Sequence, residues 1–366
     1  MLLSVQKIII ENFRNIKPVP IEFVPFVNVI FGKNGNGKTN ILEAIHFLFR
    51  KKSFKKNTGF SQILSYDNED INISINAVIS TTEGIQSRSI RISKDSTEYL
   101  INGKKKEKDS KKGTALFIGP FDSGPFFSSS QQRRDLFDEL ICETNEDYKK
   151  VLKKYFTALR FRNSLLQRKP QKYMEQIKAI NMQMGDYSYF LQHQRNQYVT
   201  KLNQYLTATY KQLFSEEIIL KMQYSPTLPL SRSNKEMSEI FDVNIERDEK
   251  ICHTTVGPHR DDYLLLFNNY SAVEFCSLGQ QKMAYLSILF AHLDLVLEQY
   301  NLRPIILIDD ISGELDSVRW ANLINFLNNR RQQIIITTAN EAFKDALNTI
   351  QHAKSIFVSS GEIYTT

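Results

Sequence analysis

Gly32-Lys33-Asn34-Gly35-Asn36-Gly37-Lys38-Thr39 stands between the apolar run Val27-Asn28-Val29-Ile30-Phe31 and a helix-like segment from Asn40 to Phe49. The order is strand, glycine-rich loop, helix, and the spacing is the complete G-x4-G-K-T pattern. In such a loop successive backbone N–H groups curl around an anion, a lysine ammonium reaches the outer phosphates and a Ser or Thr hydroxyl ligates Mg2+. Gly32, Asn34, Gly35, Asn36, Gly37, Lys38, Thr39 and Asn40 are therefore the expected phosphate cradle, with Lys38 also catalytic and Thr39 a metal ligand. The cofactor implied is ATP or GTP with Mg2+.

Around this loop lie 366 residues, enough for about two domains. Hydrophobic residues make up 42% and charged residues 24%, an ordinary globular balance. Lys and Arg total 47 against 40 Asp and Glu, so the net charge of +7 favours a polyanionic partner. Cys142, Cys252 and Cys276 stand far apart and suggest neither a disulfide framework nor a zinc site. No apolar run approaches a membrane span, and Met1-Leu2-Leu3-Ser4-Val5 is cut short by Gln6 and Lys7, so a cytoplasmic location and no membrane contact are expected.

The period of the apolar residues changes along the chain. Val5 to Phe13 and Val19 to Val24 read as an antiparallel pair, and a strictly alternating strand from Ile71 to Ile79 opens a meander through Ser89–Ile92 and Glu98–Ile101. Asn102-Gly103 signals a type I′ hairpin ahead of Lys104-Lys105-Lys106, whose charge out to Lys112 reads as edge protection, since Glu107 and Asp109 dilute it, or as a DNA-facing finger. From Gln131 to Phe214 the rhythm is helical, about 85 residues without sustained heptads, enough for a short arm and not for a long coiled coil. Strand and helix signals then return at Tyr263–Phe267, Gln280–Gln299, Ile305–Ile308, Arg319–Asn328 and Gln333–Thr337. The fold expected is α/β: an ATPase head split into segments 1–130 and 245–366, with an antiparallel β lobe and an inserted helical arm over 131–244.

Pro304-Ile305-Ile306-Leu307-Ile308 is apolar on both faces, as a buried parallel strand should be, and it ends in Asp309-Asp310. Carboxylates there fall where α/β sheets bind ligands: Asp309 is expected to hold Mg2+ and Asp310 to orient or polarise the attacking water. Ser277, Gly279 and Gln280 open a long amphipathic helix and present N–H groups to a second anion.

Together with Asn12-Phe13-Arg14-Asn15 and Asp309-Asp310-Ile311-Ser312-Gly313-Glu314-Leu315-Asp316, these stretches resemble the SMC-like branch of ATP-binding cassette proteins. Within it the chain is similar to a family of bacterial recombination mediators, on Gln132-Arg133-Arg134 with Phe137-Asp138, Arg162-Asn163-Ser164-Leu165-Leu166 and Thr255-Val256-Gly257-Pro258-His259-Arg260-Asp261-Asp262. The resemblance runs from residue 12 to residue 338. It implies ATP as nucleotide and an ATP-dependent homodimer in which Ser277, Gly279 and Gln280 of one subunit cover the γ-phosphate held by the other. It further implies a weak, DNA-dependent ATPase that binds duplex DNA at single-strand gaps and junctions, works with RecR and RecO, and helps load RecA in repair, stalled-fork recovery and the SOS response. By position, Asp316 belongs to the loop that crosses the dimer interface, and Thr337 or Thr338 to the γ-phosphate switch. Leu278 stands where the family usually has Gln, Gly313 where it has Ser, and Arg50 to Lys55 where it has a Gly-Arg-Ser-type turn. Two further readings stay open on the residues alone: another SMC-like, nuclease-associated ATPase, and a transporter ATPase subunit.

Overall fold

Alternation of apolar and polar side chains builds the first sheet. The computed structural model describes residues 3–55, 58–65, 72–105, 115–119, 123–214, 217–230, 233–310 and 317–365. Two compact units make up the chain: residues 1–122, 212–215 and 296–366 form the first, and 123–211 with 216–295 the second. The first begins with β1 (Ser4–Glu11), β2 (Ile21–Glu22), β3 (Val27–Phe31), α1 (Lys38–Arg50), the single turn α2 (Phe60–Ile63), β4 (Ile73–Thr81), β5 (Gly84–Ile92), β6 (Thr97–Ile101), β7 (Lys104–Lys105) and β8 (Ala115–Ile118). Six of these strands pair antiparallel in the order β2-β1-β4-β5-β6-β7. Ile73, Ile75, Ala77 and Ile79 of β4 are buried while the residues between them are half-buried, so one face packs inward. Asn102 and Gly103 take φ of 50° and 73°, the two left-handed residues a type I′ turn needs. The rest of the lysine-rich tip, Lys106 to Lys112, lies outside the described residues.

The second unit is mainly helical: α3 (Ser123–Ser128), α4 (Ser130–Thr144), α5 (Glu146–Arg168), α6 (Tyr173–Phe214), β9 (Leu220–Ser225), α7 (Asn234–Val243), α8 (Ile245–Ile251), β10 (Asp262–Phe267), β11 (Tyr270–Ser271), the turn α9 (Ala272–Phe275) and α10 (Leu278–Tyr300). Asn145 caps α5 by accepting from the Tyr148 N–H, and Lys169 ends it in a left-handed conformation. α6 runs unbroken for 42 residues. β9 pairs with β10, so residues 245–295, expected with the head, pack within this unit instead.

The reason is a buried polar frame that takes in the motif Thr255–Asp262. Arg195 of α6 bonds through all three of its nitrogens: Nη2 reaches both oxygens of Asp138 at 2.9 and 3.0 Å, Nε reaches the Tyr148 hydroxyl at 2.9 Å, and Nη1 reaches the Pro258 carbonyl at 2.6 Å and Asp261 at 3.1 Å. Asp261 also accepts from the Tyr224 hydroxyl and from the Thr227 N–H and hydroxyl. Arg133 clamps Asp262 at 2.7 and 2.8 Å, while Arg162 reaches Asp248 at 2.6 Å and Thr254 at 2.8 Å.

His259 sits in the same frame. Its Nε2 faces the Thr254 carbonyl at 3.1 Å, which can only accept, so Nε2 carries the proton and Nδ1 accepts from the Tyr155 hydroxyl at 2.6 Å. Burial, with Arg260 and Arg134 adding to it, pushes the imidazole down to about 4 from 6.5. The unfolded histidine therefore takes up a proton first: its contribution is complete above pH 6.5 and is lost as pH falls towards about 4. Denaturant titrations should show a loss on the order of 3 kcal/mol across that window. His259→Asn should flatten it, and an unchanged pH slope in that variant would rule out His259 as its source.

Back in the first unit follow β12 (Ile305–Ile308), α11 (Ser317–Asn328), β13 (Ile334–Thr338), α12 (Glu341–Asn348), β14 (Lys354–Ser359) and β15 (Glu362–Thr365). They complete a second sheet in the order β15-β14-β3-β13-β12-β8, parallel except for β15. Every residue of β12 and β13 is buried, as a sheet covered on both faces requires. α1 packs against β5 of the first sheet and against β8, β12 and β13 of the second. Helix residues from Ile41 to Phe49 are accordingly all buried, and a helix closed in on both sides reads as apolar nearly all round.

Candidate nucleotide-binding site

The carboxyl ends of β3, β13 and β12 are neighbours in the parallel sheet, the place where open α/β sheets hold ligands. From Phe31 the chain leaves β3 into the glycine-rich loop and enters α1 at Lys38. A Cβ on Gly32 would lie 2.1 Å from the Val358 carbonyl oxygen, so only glycine lets β14 and the loop approach. The loop is braced from outside: Asn36 Nδ2 donates to the same Val358 carbonyl at 3.2 Å, Asn15 donates to the Gly35 carbonyl at 3.3 Å, and Asn40 donates to Asn15 at 2.8 Å.

Lys38 is 6% exposed and donates to the Gly32 and Lys33 carbonyls at 2.7 and 3.0 Å. Burial lowers its pKa, opposed by the charges of Asp310 and Asp309. Thr39 Oγ1 donates to both oxygens of Asp309, at 2.8 and 3.0 Å. On the other side Thr337 Oγ1 donates to Asp309 at 2.7 Å and accepts from the Asp310 N–H at 3.1 Å. Burial raises the Asp309 pKa despite the hydroxyls of Thr337 and Thr39, and Asp310 adds to the rise. A buried carboxylate short of positive compensation beside a hydroxyl is a donor set that fits Mg2+, which takes a few protein oxygens and keeps phosphate and water for the rest.

Around this centre is a second ring of contacts. Glu43, fully buried in α1, receives Arg14 through Nε at 2.6 Å and Nη2 at 2.9 Å, the Ser53 hydroxyl at 2.5 Å and Lys55 Nζ at 3.3 Å. Burial alone would raise its pKa, but the hydrogen bonds from Arg14 and Ser53 and the charge of Lys55 bring it below the ordinary carboxylate range. Phe54 stacks on Phe117 with ring centroids 3.6 Å apart, so the segment standing in for the family's Gly-Arg-Ser-type turn is tied down at Ser53, Phe54 and Lys55. The signal for Glu43 was a lone acid inside an apolar helix.

The structure thus gathers Gly32, Gly35, Asn36, Gly37, Lys38, Thr39, Asn40, Asp309 and Asp310 in one unit, with Asn34 exposed at the loop tip. Ser277, Gly279 and Gln280 lie in the other unit. There the Gln280 N–H donates to Ser277 Oγ at 3.3 Å and the Ser277 N–H to Gln280 Oε1 at 3.0 Å, a reciprocal capping box at the start of α10. Leu278 beside them is 75% exposed. Ser312, Gly313 and Asp316 fall outside the described residues.

A chain with this loop and this sheet belongs to the AAA domain family, whose profile matches residues 7–250. It is 28% identical to the DNA replication and repair protein RecF of Exiguobacterium sp. over 99% of both chains, and 29% identical to RecF of Clostridium botulinum over 96% of this chain and 97% of that relative. The fold matches a solved structure of the recombination mediator protein RecF in the RecFOR pathway with a TM-score of 0.87 at 22% identity, covering all of this chain and 98% of that one. An Smc head domain from Pyrococcus furiosus matches at 0.59 and 15% identity, over all of this chain and 96% of that one. The resemblance to recombination mediators is thereby borne out as a resemblance to RecF, and the α/β head with its antiparallel lobe and helical arm is borne out as the fold.

Proposed function

We propose that this chain is an ATP-dependent, DNA-binding recombination mediator that acts in DNA repair, fork recovery and SOS induction. The observation that carries the reading is similarity to RecF along essentially the whole chain, with the loop, Thr39 and Asp309 in register at one sheet edge. In this reading Lys38 leaves the Gly32 and Lys33 carbonyls for the outer phosphates, Thr39 and Asp309 hold Mg2+, and Asp310 polarises the attacking water. Mg2+ supplies charge neutralisation at the phosphates when bound.

Ser277, Gly279 and Gln280 of a second copy cover the γ-phosphate, so ATP drives dimerisation and slow, DNA-dependent hydrolysis reverses it. RecR and RecO are the expected partners and RecA loading the outcome. The location proposed is cytoplasmic; among the described residues no helix is long and apolar enough to cross a membrane.

Fluorescence anisotropy on gapped and uninterrupted duplexes of equal length tests the reading. Gapped duplex should bind several-fold more tightly, with ATP and Mg2+ strengthening binding. Binding indifferent to ATP, or none to DNA, would overturn it.

A further inference from the structure

From Lys149 to Met174 the chain carries nine lysines and arginines and no Asp or Glu. With +7 on the whole chain and +9 in this segment, all remaining residues together carry −2. The protein's positive charge is thus concentrated in α5 and the turn after it.

On α5 the buried face is Tyr148, Tyr155, Ala158, Leu159, Arg162, Leu165 and Leu166. Lys149, Lys153, Lys154 and Arg160 are exposed. Lys149, Lys153 and Arg160, four and seven residues apart, fall within an arc of about 40° and form a stripe ~17 Å long. Lys150 is paired with Asp147 at 3.0 Å, and Arg160 donates to Thr157 at 3.4 Å. Among the described residues no carboxylate lies within ion-pair distance of Lys149, Lys153, Lys154 or Arg160. Arg168, Lys169 and Lys172 extend the exposed charge beyond the helix end.

A helix surface kept only for solubility gains from alternating signs, whereas Lys149 with Lys153 and Lys150 with Lys154 are like charges at i,i+4, each pair mildly destabilising to the helix. Such a stripe is suited to a rigid polyanion, and protein–protein interfaces are depleted in lysine. Resting on the DNA-binding reading above, we propose that the exposed stripe Lys149–Lys153–Arg160 of α5 docks the phosphate backbone of duplex DNA. Neutralising phosphates this way is independent of base sequence.

The test uses the full chain with ATP and Mg2+, a labelled duplex of random sequence, and the triple variant Lys149→Gln, Lys153→Gln, Arg160→Gln. Losing three phosphate contacts should reduce the slope of log K against log salt by about 3, so that between 50 and 200 mM salt the wild type loses ~40-fold more affinity than the variant. ATP binding should be unchanged. Lys104→Gln with Lys105→Gln, on the hairpin, should keep the wild-type slope, and the charge-conserving triple variant Lys149→Arg, Lys153→Arg, Arg160→Lys should keep duplex binding, which separates charge from folding. A wild-type slope in the Gln variant would overturn the assignment, leaving the stripe to an acidic protein surface. A wild type that binds no duplex would overturn both the stripe and the reading beneath it.

Discussion

Arg195→Ala should lower the stability of the second unit by about 3–5 kcal/mol, the usual effect of removing one member of a buried charged network. The side chain is 1% exposed and meets Asp138, Asp261, Tyr148 and the Pro258 carbonyl. Truncation leaves the Asp138 and Asp261 carboxylates without the Arg195 cation and the Pro258 carbonyl without its Nη1 donor. Arg195→Lys should recover little, because an ammonium cannot span Asp138 and Asp261 with the geometry of the fork. Calorimetry should show a melting point lower by ~10 °C, from the usual 2–4 °C per kcal/mol in a unit of this size. Hydrogen exchange should locate the loss in α4, α5 and α6. A shift below about 2 °C would mean that water or rearrangement satisfies these groups and that the frame is not what holds the helices together.

That network also marks where the sequence stopped being readable. Gly32 to Thr39 and Ile305 to Asp310 were legible because each rests on local chemistry: a fixed glycine spacing in one, a two-sided apolar strand ending in acids in the other. Asn102-Gly103 was legible for the same reason, since a tight turn depends on its own two residues. Asp261, Asp138 and Arg195 are separated by up to 123 residues, and nothing in a local pattern says that they meet.

The C-terminal hairpin went unread for a related reason. A Cβ on Gly361 would lie 1.8 Å from the Asn15 carbonyl oxygen, and Gly361 N–H donates to the Asn36 carbonyl at 3.1 Å. Its role, bracing the phosphate loop, shows only once β14 lies beside β3. β9 also went unread: Pro226 and Pro229 follow it closely and signal turns, although Leu220, Met222 and Tyr224 alternate as buried strand residues.

Ser277→Arg should abolish ATP-driven dimerisation while leaving ATP binding by the monomer intact. Ser277 is exposed and caps α10 through Gln280. Losing that cap costs about 1 kcal/mol locally, well short of unfolding the unit. In the proposed dimer the long guanidinium side chain at the helix tip would hold the second copy away from the γ-phosphate, while Lys38, Thr39 and Asp309, in the other unit, keep their contacts.

Sedimentation of the wild type and of Ser277→Arg at ~10 µM, with and without ATP and Mg2+, tests the dimerising role of ATP most directly, since micromolar association corresponds to about −8 kcal/mol and is readily populated there. The wild type should change from monomer to dimer when ATP is added, and the variant should stay monomeric with nucleotide bound. A wild type that remains monomeric with ATP, or a variant that dimerises as well as the wild type, would contradict the account.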